Sequence, residues 1–418
     1  MKEKRGSFDV DKVRSDFPIF RAPSEGKPLI YLDSAATAQK PQCVIEAISR
    51  YYSEECGTVH RAVYSLAARA TERYNAVREK AKRFLNASSE EEVIFTSGTT
   101  ASLNLLAYAI GQTWIQPGDD IIISEMEHHS NLIPWQLLCE RTGARLHILP
   151  VDDRADLLLD VYEKLLSEKT KIVSLAHMTN VTGTINPVRT LIALAHAVGA
   201  KVILDGAQAA VHQPIDVRAL DVDFYVFSGH KLYGPTGVGV LYGKQKYLEE
   251  LSPVFGGSDM IDEVELQKSR FHGPPLKFEP GTPPVASVLG LGAAFDYIES
   301  IGKEAIAHFE QELLSYASRA LRSIDRLNII GDPRCKGGIL SFTIERAHAL
   351  DVATLLSLKG IALRTGHLCA APTLRRFGVS SLMRISFGIY TTHRDIDLCV
   401  TAIKEALTLL SPELSTTG

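Results

Sequence analysis

The stretch DFYVFSGHKLYGPTGVGVLY, residues 223–242, decides how the chain is read. Its flanks, DFYVF and VGVLY, are rich in β-branched and aromatic residues and read as strands. Between them Lys231 follows His230 and precedes Gly234, Pro235, Gly237 and Gly239. Such a run lets the backbone turn sharply and approach another group closely. Lysine is seldom buried unless something holds it. Lys231 is therefore either a solvated turn lysine or one pinned to form a Schiff base with a carbonyl cofactor.

Outward from this stretch the same rhythm repeats. Strand-like runs are EEVIFT at Glu91, DDIIIS at Asp119, ARLHILP at Ala144, KIVSLAH at Lys171 and AKVILD at Ala200. With the two flanks of Lys231 they make seven. Helical segments such as SLNLLAYAIG and VRTLIALAHAVG lie between most of them. This alternation predicts an α/β fold with a large, mainly parallel seven-stranded sheet between helices. The Pro/Gly-rich residues 272–284 break the rhythm, and a helix is expected from about Val285 to Ile301. A smaller α+β unit follows, with strands in GGILSFTI, IALRTG and LMRISFGIY. The expected division is an N-terminal segment 1–28 packed on the small unit, a large domain 29–296 and a C-terminal domain 297–418.

Bulk properties narrow the function. The 418 residues are 45% hydrophobic and 22% charged, ordinary for a soluble globular protein. The net charge of −4, without a basic block, argues against nucleic acid. No apolar run of membrane-spanning length and no secretory signal are apparent, so no membrane is expected. Cys43, Cys56, Cys139, Cys335, Cys369 and Cys399 are scattered without a CxxC pair. Neither a zinc site nor a disulfide framework is suggested, and a reducing cytoplasm fits.

Several other residues carry possible chemistry. Asp205 ends the strand AKVILD; it is either a helix N-cap or a carboxylate for a pyridinium nitrogen. TSGTTASLN, at Thr96, opens a helix. Thr99 and Thr100 are plain caps or, with Ser228 and His230, a phosphate cradle. EMEHHSN places His128 at a strand-to-helix junction, as a surface histidine or an imidazole stacked on a cofactor ring. No further ligand makes it a metal site. Arg384, among apolar neighbours, wants an anion, in a structural salt bridge or a substrate carboxylate. Cys369 in RTGHLCAAP is inert filler or a thiol that Arg364 and His367 turn toward thiolate.

Together these stretches resemble the group II, SufS-type cysteine desulfurases, class V aminotransferases of the fold type I pyridoxal-phosphate enzymes. The resemblance runs from YLDSAATAQKP at Tyr31 to the C-terminal helix. It is carried by YLDSAA, VHR, SGTT, EHHSN, NVTGT, DGAQ, SGHKLYGPTGVG, FEPGTP, RTGHLCAAP and RISFG in combination. It implies pyridoxal 5′-phosphate linked to Lys231, with Asp205 on the ring nitrogen, Gln208 on the phenolic oxygen and His128 stacked on the ring. Thr99, Thr100, Ser228 and His230 would hold the phosphate. In a homodimer, Thr282 would reach the phosphate of the neighbouring subunit. Asn180 and Arg384 would hold the substrate carboxylate, with Arg364 and His60 also facing the substrate. Ala62, Tyr64, Pro280 and Ile385 depart from residues common in the family.

The implied reaction converts L-cysteine to L-alanine. Lys231 removes the Cα proton, His128 serves the substrate thiol, and the Cys369 thiolate takes the sulfur as a persulfide. The five positions from Arg364 to Cys369 span at most about 18 Å. A loop that short implies a dedicated acceptor protein, SufE-like or SufU-like, and iron–sulfur cluster assembly as destination. The rivals are a selenocysteine lyase acting on L-selenocysteine, an aminotransferase on the same scaffold, and a cofactor-free sulfur relay using Cys369 alone.

Overall fold

A computed structural model of the chain describes residues 8–21, 26–60 and 62–410. Arg61 of the VHR motif lies outside them. A two-residue strand, β1 (Ile30–Tyr31), comes first. The seven strands of the main sheet are β2 (Val93–Thr96), β3 (Asp120–Ser124), β4 (Arg145–Leu149), β5 (Thr170–Ala176), β6 (Lys201–Asp205), β7 (Phe224–Ser228) and β8 (Gly239–Gly243). Their order across the sheet is β2-β8-β7-β6-β5-β3-β4. Only β8 runs antiparallel to its neighbours, β2 and β7. The sheet is the mainly parallel one expected.

The apolar runs explain why the sheet is buried on both faces. Alternate residues serve opposite cores: Val202, Leu204, Tyr225 and Phe227 on one side, Ile203, Phe224 and Val226 on the other. Strands covered by helices on both faces read as near-continuous hydrophobic sequence, as these do. Two glycines matter where backbones crowd. A Cβ on Gly206, just past β6, would fall 2.2 Å from the Tyr225 ring. One on Gly239 would fall 2.6 Å from Gly98 Cα, the residue preceding the helix Thr99–Thr113. These contacts bring the ends of β6, β7 and β8 close to that helix's N-terminus.

An exposed hairpin, β9 (Ile261–Val264) and β10 (Ser269–Phe271), follows. The helix Val285–Ile301 then leads into the smaller unit. There β11 (Leu327–Ile329), β12 (Ile339–Ile344), β14 (Arg364–Gly366) and β15 (Leu382–Ser386) form an antiparallel sheet in the order β11-β12-β15-β14. This unit has its own core, centred on Leu313, Leu340, Phe342, Met383 and Ile403. Between β12 and β14, β13 (Ile361–Ala362) pairs parallel with β1, so chain near the start is stitched to the C-terminal unit. The described part of the N-terminal segment touches both units. Phe8 and Val10 pack on the second core, while Val13 and Phe17 belong to the first.

Among the described residues, no single helix is long and apolar enough to cross a membrane. No group of three or more His, Cys, Asp or Glu side chains among them could hold a metal ion.

Candidate active site

A cavity of about 250 Å³ opens at the C-terminal ends of β5, β6 and β7, where open α/β sheets place their ligands. Lys231 reaches it from the short 3-10 turn Gly229–Lys231 between β7 and β8. Asp205 reaches it from the end of β6. The helix Thr99–Thr113 points its N-terminus there, and its first turn is tied to β7. The Thr99 backbone N–H donates to Ser228 Oγ at 2.8 Å, and the two hydroxyls lie 2.8 Å apart. Thr100 Oγ1 pairs with Ser130 Oγ at 2.7 Å. Free helix N–H groups plus hydroxyls make this end suited to an anion.

Burial sets the protonation of the cavity. It pushes the Lys231 ammonium down to about 8, with Arg384 and Arg364 assisting and Asp205 opposing. Lys231 is exposed only partly, at the cavity it lines. Asp205 is 6% exposed, and burial raises its pKa although the Ala207 N–H and Lys231 stabilise the anion. A buried carboxylate in that position favours a cationic partner. Burial, then the Lys231 charge, holds His128 down at about 4. Its Nδ1 accepts from the Ser130 N–H at 3.1 Å, so the neutral ring carries its proton on Nε2. His230 is likewise pushed down to about 4 by burial.

The opposite wall comes from the C-terminal unit. Arg384, in β15, is 3% exposed. Its Nη1 donates to the Asn180 carbonyl at 2.9 Å and its Nη2 to Asp33 Oδ1 at 3.1 Å. Asp33 also pairs with Arg364 at 3.6 Å. Cys369 lines the cavity yet remains exposed. Leu368 and Cys369 carry φ of +52° and +54°, left-handed backbone that costs a non-glycine residue about 1 to 2 kcal/mol.

Three buried polar atoms of lining residues have no hydrogen-bond partner: Asn180 Oδ1, Gln208 Oε1 and Arg384 Nε. Leaving such groups unpaired is costly, so together they mark the place of a polar ligand. With a low-pKa lysine, a buried acid and an anion cradle, the residues present fit pyridoxal phosphate.

Of the residues singled out in the sequence, Lys231, Asp205, Gln208, His128, Thr99, Thr100, Ser228, His230, Asn180, Arg364, Arg384 and Cys369 all line this one cavity. His60 and Thr282 do not. The His60 backbone N–H donates to Thr71 Oγ1, and its ring meets Tyr74 edge-on at 5.5 Å. Thr282 is exposed on the surface of the chain. Sequence reasoning missed three contributors. Ser130 and Asp33 stood inside quoted motifs without a role. The third, Glu127, precedes His128 in the chain and is 1% exposed. It accepts from Ser124, Asn131 and the Ala176 N–H, and burial pushes it up to about 7. The acid of MEHH was its only signal.

Comparison with known proteins agrees with this architecture. Residues 30–399 match the class-V aminotransferase family, and the chain belongs to it. A cysteine desulfurase of Escherichia coli strain SE11 is 46% identical over 97% of this chain and 100% of its own length. One from Synechococcus elongatus is 47% identical over 96% of this chain. The chain spans only 59% to 65% of the length of that relative and two mycobacterial ones. Among solved structures, the E. coli cysteine desulfurase CsdA superposes with a TM-score of 0.89 at 40% identity, covering 97% of this chain and all of its own. A Thermococcus onnurineus cysteine desulfurase gives 0.90 at 34%, covering 94% and 97%.

Proposed function

We propose that the protein is a pyridoxal-phosphate-dependent cysteine desulfurase, converting L-cysteine to L-alanine and holding the sulfur as a persulfide on Cys369. One observation carries this reading: the Lys231 amine and the Cys369 thiol line the same cavity from opposite units. When bound, the cofactor supplies an electron sink that makes the substrate Cα proton removable and the Cβ–S bond weak. The chain's own residues do the rest. Thr99, Thr100, Ser228 and His230 hold the phosphate, Asp205 and Gln208 the ring, and His128 stacks on it. Arg384, through its unpartnered Nε, and Asn180 hold the substrate's carboxylate. Lys231, with its pKa near 8, has an accessible neutral form and moves the Cα proton. Neutral His128, its Nδ1 lone pair taken by the Ser130 N–H, serves the substrate thiol through Nε2. The Cys369 thiolate attacks the substrate sulfur. An S–S bond forms as the Cβ–S bond breaks.

The unit 29–296 thus carries the cofactor, and 297–418 carries the Cys369 loop. The described part of segment 1–28 packs on the latter through Phe8 and Val10 and on the former through Val13 and Phe17. Only residues 367–370 separate β14 from the helix Ala371–Arg376. That brevity supports the SufS-type subgroup, with a SufE- or SufU-like acceptor reaching in and iron–sulfur assembly as the use. A homodimer is supported by the apolar residues left exposed on and beside the β9–β10 hairpin, Phe255, Val264, Leu266 and Phe271. In it, Thr282 and His60 act across the subunit boundary. Six free cysteines suit the cytoplasm. The alternative is a selenocysteine lyase acting on L-selenocysteine, whereas transamination would leave Cys369 without a task.

The test is to map thiols by mass after brief exposure of the enzyme to L-cysteine without reductant. One added sulfur on the Cys369 peptide, with alanine released, is expected. Cys369→Ala should keep the cofactor's yellow absorbance and lose the persulfide. Efficient persulfide formation in that variant would remove Cys369 as nucleophile.

A further inference from the structure

The second histidine of EHH does not line the cavity, and the reaction gives it nothing to do. Its contacts are specific nonetheless. The His129 backbone N–H donates to the Cys369 carbonyl at 2.8 Å. Its ring Nε2 accepts from the Ala371 backbone N–H at 3.1 Å. Cys369 is thus bracketed, one residue held at its own carbonyl and the second following residue at its amide. We infer that His129 is the positioning residue for the Cys369 thiol, clamping its loop across the boundary between the two units. This rests on the reading of Cys369 as the sulfur-accepting thiol.

The loop needs such a clamp. Leu368 and Cys369 both hold left-handed backbone, which neither residue type favours. Such conformations persist where surrounding contacts over-determine them. The contacts available are few. Asn180 Nδ2 donates to the Leu368 carbonyl at 2.8 Å, but Asn180 also faces the substrate and shares its donors with it. The Ala370 N–H closes a local turn onto the His367 carbonyl. Leu368 and Ala370 pack on Val181 of the cofactor-bearing unit, but that apolar contact orients no backbone polar group; His129 supplies hydrogen bonds to the loop and has no second duty.

The clamp fixes the imidazole's protonation. A backbone N–H only donates, so Nε2 must present its lone pair and the neutral ring's proton sits on Nδ1. An imidazolium would set N–H against N–H. The titratable and charged neighbours are His128, with its ring 6.3 Å away, and His367, Arg375 and Cys369 on the loop side. Burial, then the charges of His367 and Arg375, lowers the His129 pKa and favours the accepting form.

His129→Leu and His129→Gln, in the full-length cofactor-loaded protein, test this. Glutamine keeps an acceptor about where Nε2 stands; leucine removes it. In His129→Leu, amide hydrogen exchange at Ala371 should quicken at least about fivefold, the scale of one lost hydrogen bond. Persulfide formation on Cys369 should slow about tenfold. Exchange of the substrate Cα proton with deuterium, which reports Lys231 alone, should stay within about twofold. His129→Gln should restore persulfide formation to within about threefold of wild type. The inference is overturned if His129→Leu leaves amide exchange and persulfide rate at wild-type values. It is equally overturned if Cα exchange falls in step, or if glutamine performs no better than leucine. Should His129→Leu not fold, His129→Asn, whose shorter side chain cannot reach the Ala371 N–H, takes its place: Ala371 exchange and persulfide rate at wild-type values there sink the clamp. Cys369→Ala, run in parallel, separates the two readings. Persulfide persisting there would remove Cys369 as acceptor and leave the Ala371 exchange result on His129 standing.

Discussion

Lys231 and Cys369 face the same cavity, but different physics holds them. Lys231 sits in a tight turn between β7 and β8, two strands whose every residue is buried. Around it burial governs charge: the lysine and His128 are pushed down, Asp205 up. Cys369 is exposed, on a loop of unfavourable backbone held by a few hydrogen bonds from the other unit. The cofactor half must be dry and fixed, because electrostatic control of a proton weakens when water enters. Under the proposed function the sulfur half must be reachable, because its product would leave on another molecule. The boundary between the units is where the two demands meet.

The largest way to break this contrast is Lys231→Ala. Loss of both the covalent anchor and the proton carrier should cut turnover by about 10⁴-fold or more, read as alanine produced per minute. A drop no greater than that of Cys369→Ser would mean that the buried half is not the more demanding one.

Next is a comparison of stability. Arg78 and Glu279 pair at 2.7 Å with side chains only 6% and 7% exposed, beside β2. Glu279 also accepts from the Phe95 N–H and the Tyr74 hydroxyl. Arg78→Ala strands that carboxylate and should cost about 3 to 5 kcal/mol in urea unfolding.

The pH dependence of cofactor uptake sharpens the picture. Only the neutral amine of Lys231 bonds a carbonyl, and burial sets its pKa at about 8. The proton must come off first. The covalent uptake rate of cofactor-free protein should therefore rise about tenfold per unit below pH 8 and level off above it. An ordinary lysine would still be climbing well past that point. Stopped-flow absorbance distinguishes the two profiles.

The smallest effect belongs to the loop side. Arg376, on the helix Ala371–Arg376, bridges to Asp153, which is 95% exposed, at 2.8 Å and to the Val151 carbonyl. Arg376→Ala should cost about 1 kcal/mol or less in the same unfolding experiment. A cost equal to that of Arg78→Ala would erase the difference between the regions.

What the sequence disclosed follows the same division. The seven strands were legible because each is an apolar run buried on both faces, and the helix Val285–Ile301 was legible from its length and the proline before it. Asp205, Lys231 and Thr99 were legible because local motifs at strand ends place them. β1 was hidden: Ile30 and Tyr31 have no periodicity to display, and their partner lies in β13. β9 and β10 are short and largely exposed, and β11 is three residues long without a fully buried one, so burial leaves no apolar run in them. Asp33 was hidden for a related reason. Its meaning lies in joining Arg364 to Arg384, a triangle of residues distant in sequence. The bracket His129 places on Cys369 and Ala371 likewise rests on backbone groups, which carry no letter.

The pairing of β1 with β13 has a consequence for synthesis. Ile30 leaves the ribosome long before Ile361, and at ordinary rates the interval is on the order of tens of seconds. Through that time Asp33 has neither arginine, and the strand beside it waits unpaired. The main sheet, complete at Gly243, can close around the cofactor crevice earlier. A nascent chain thus completes the elements that carry Lys231 and Asp205 before those that carry Arg364, Cys369 and Arg384 exist.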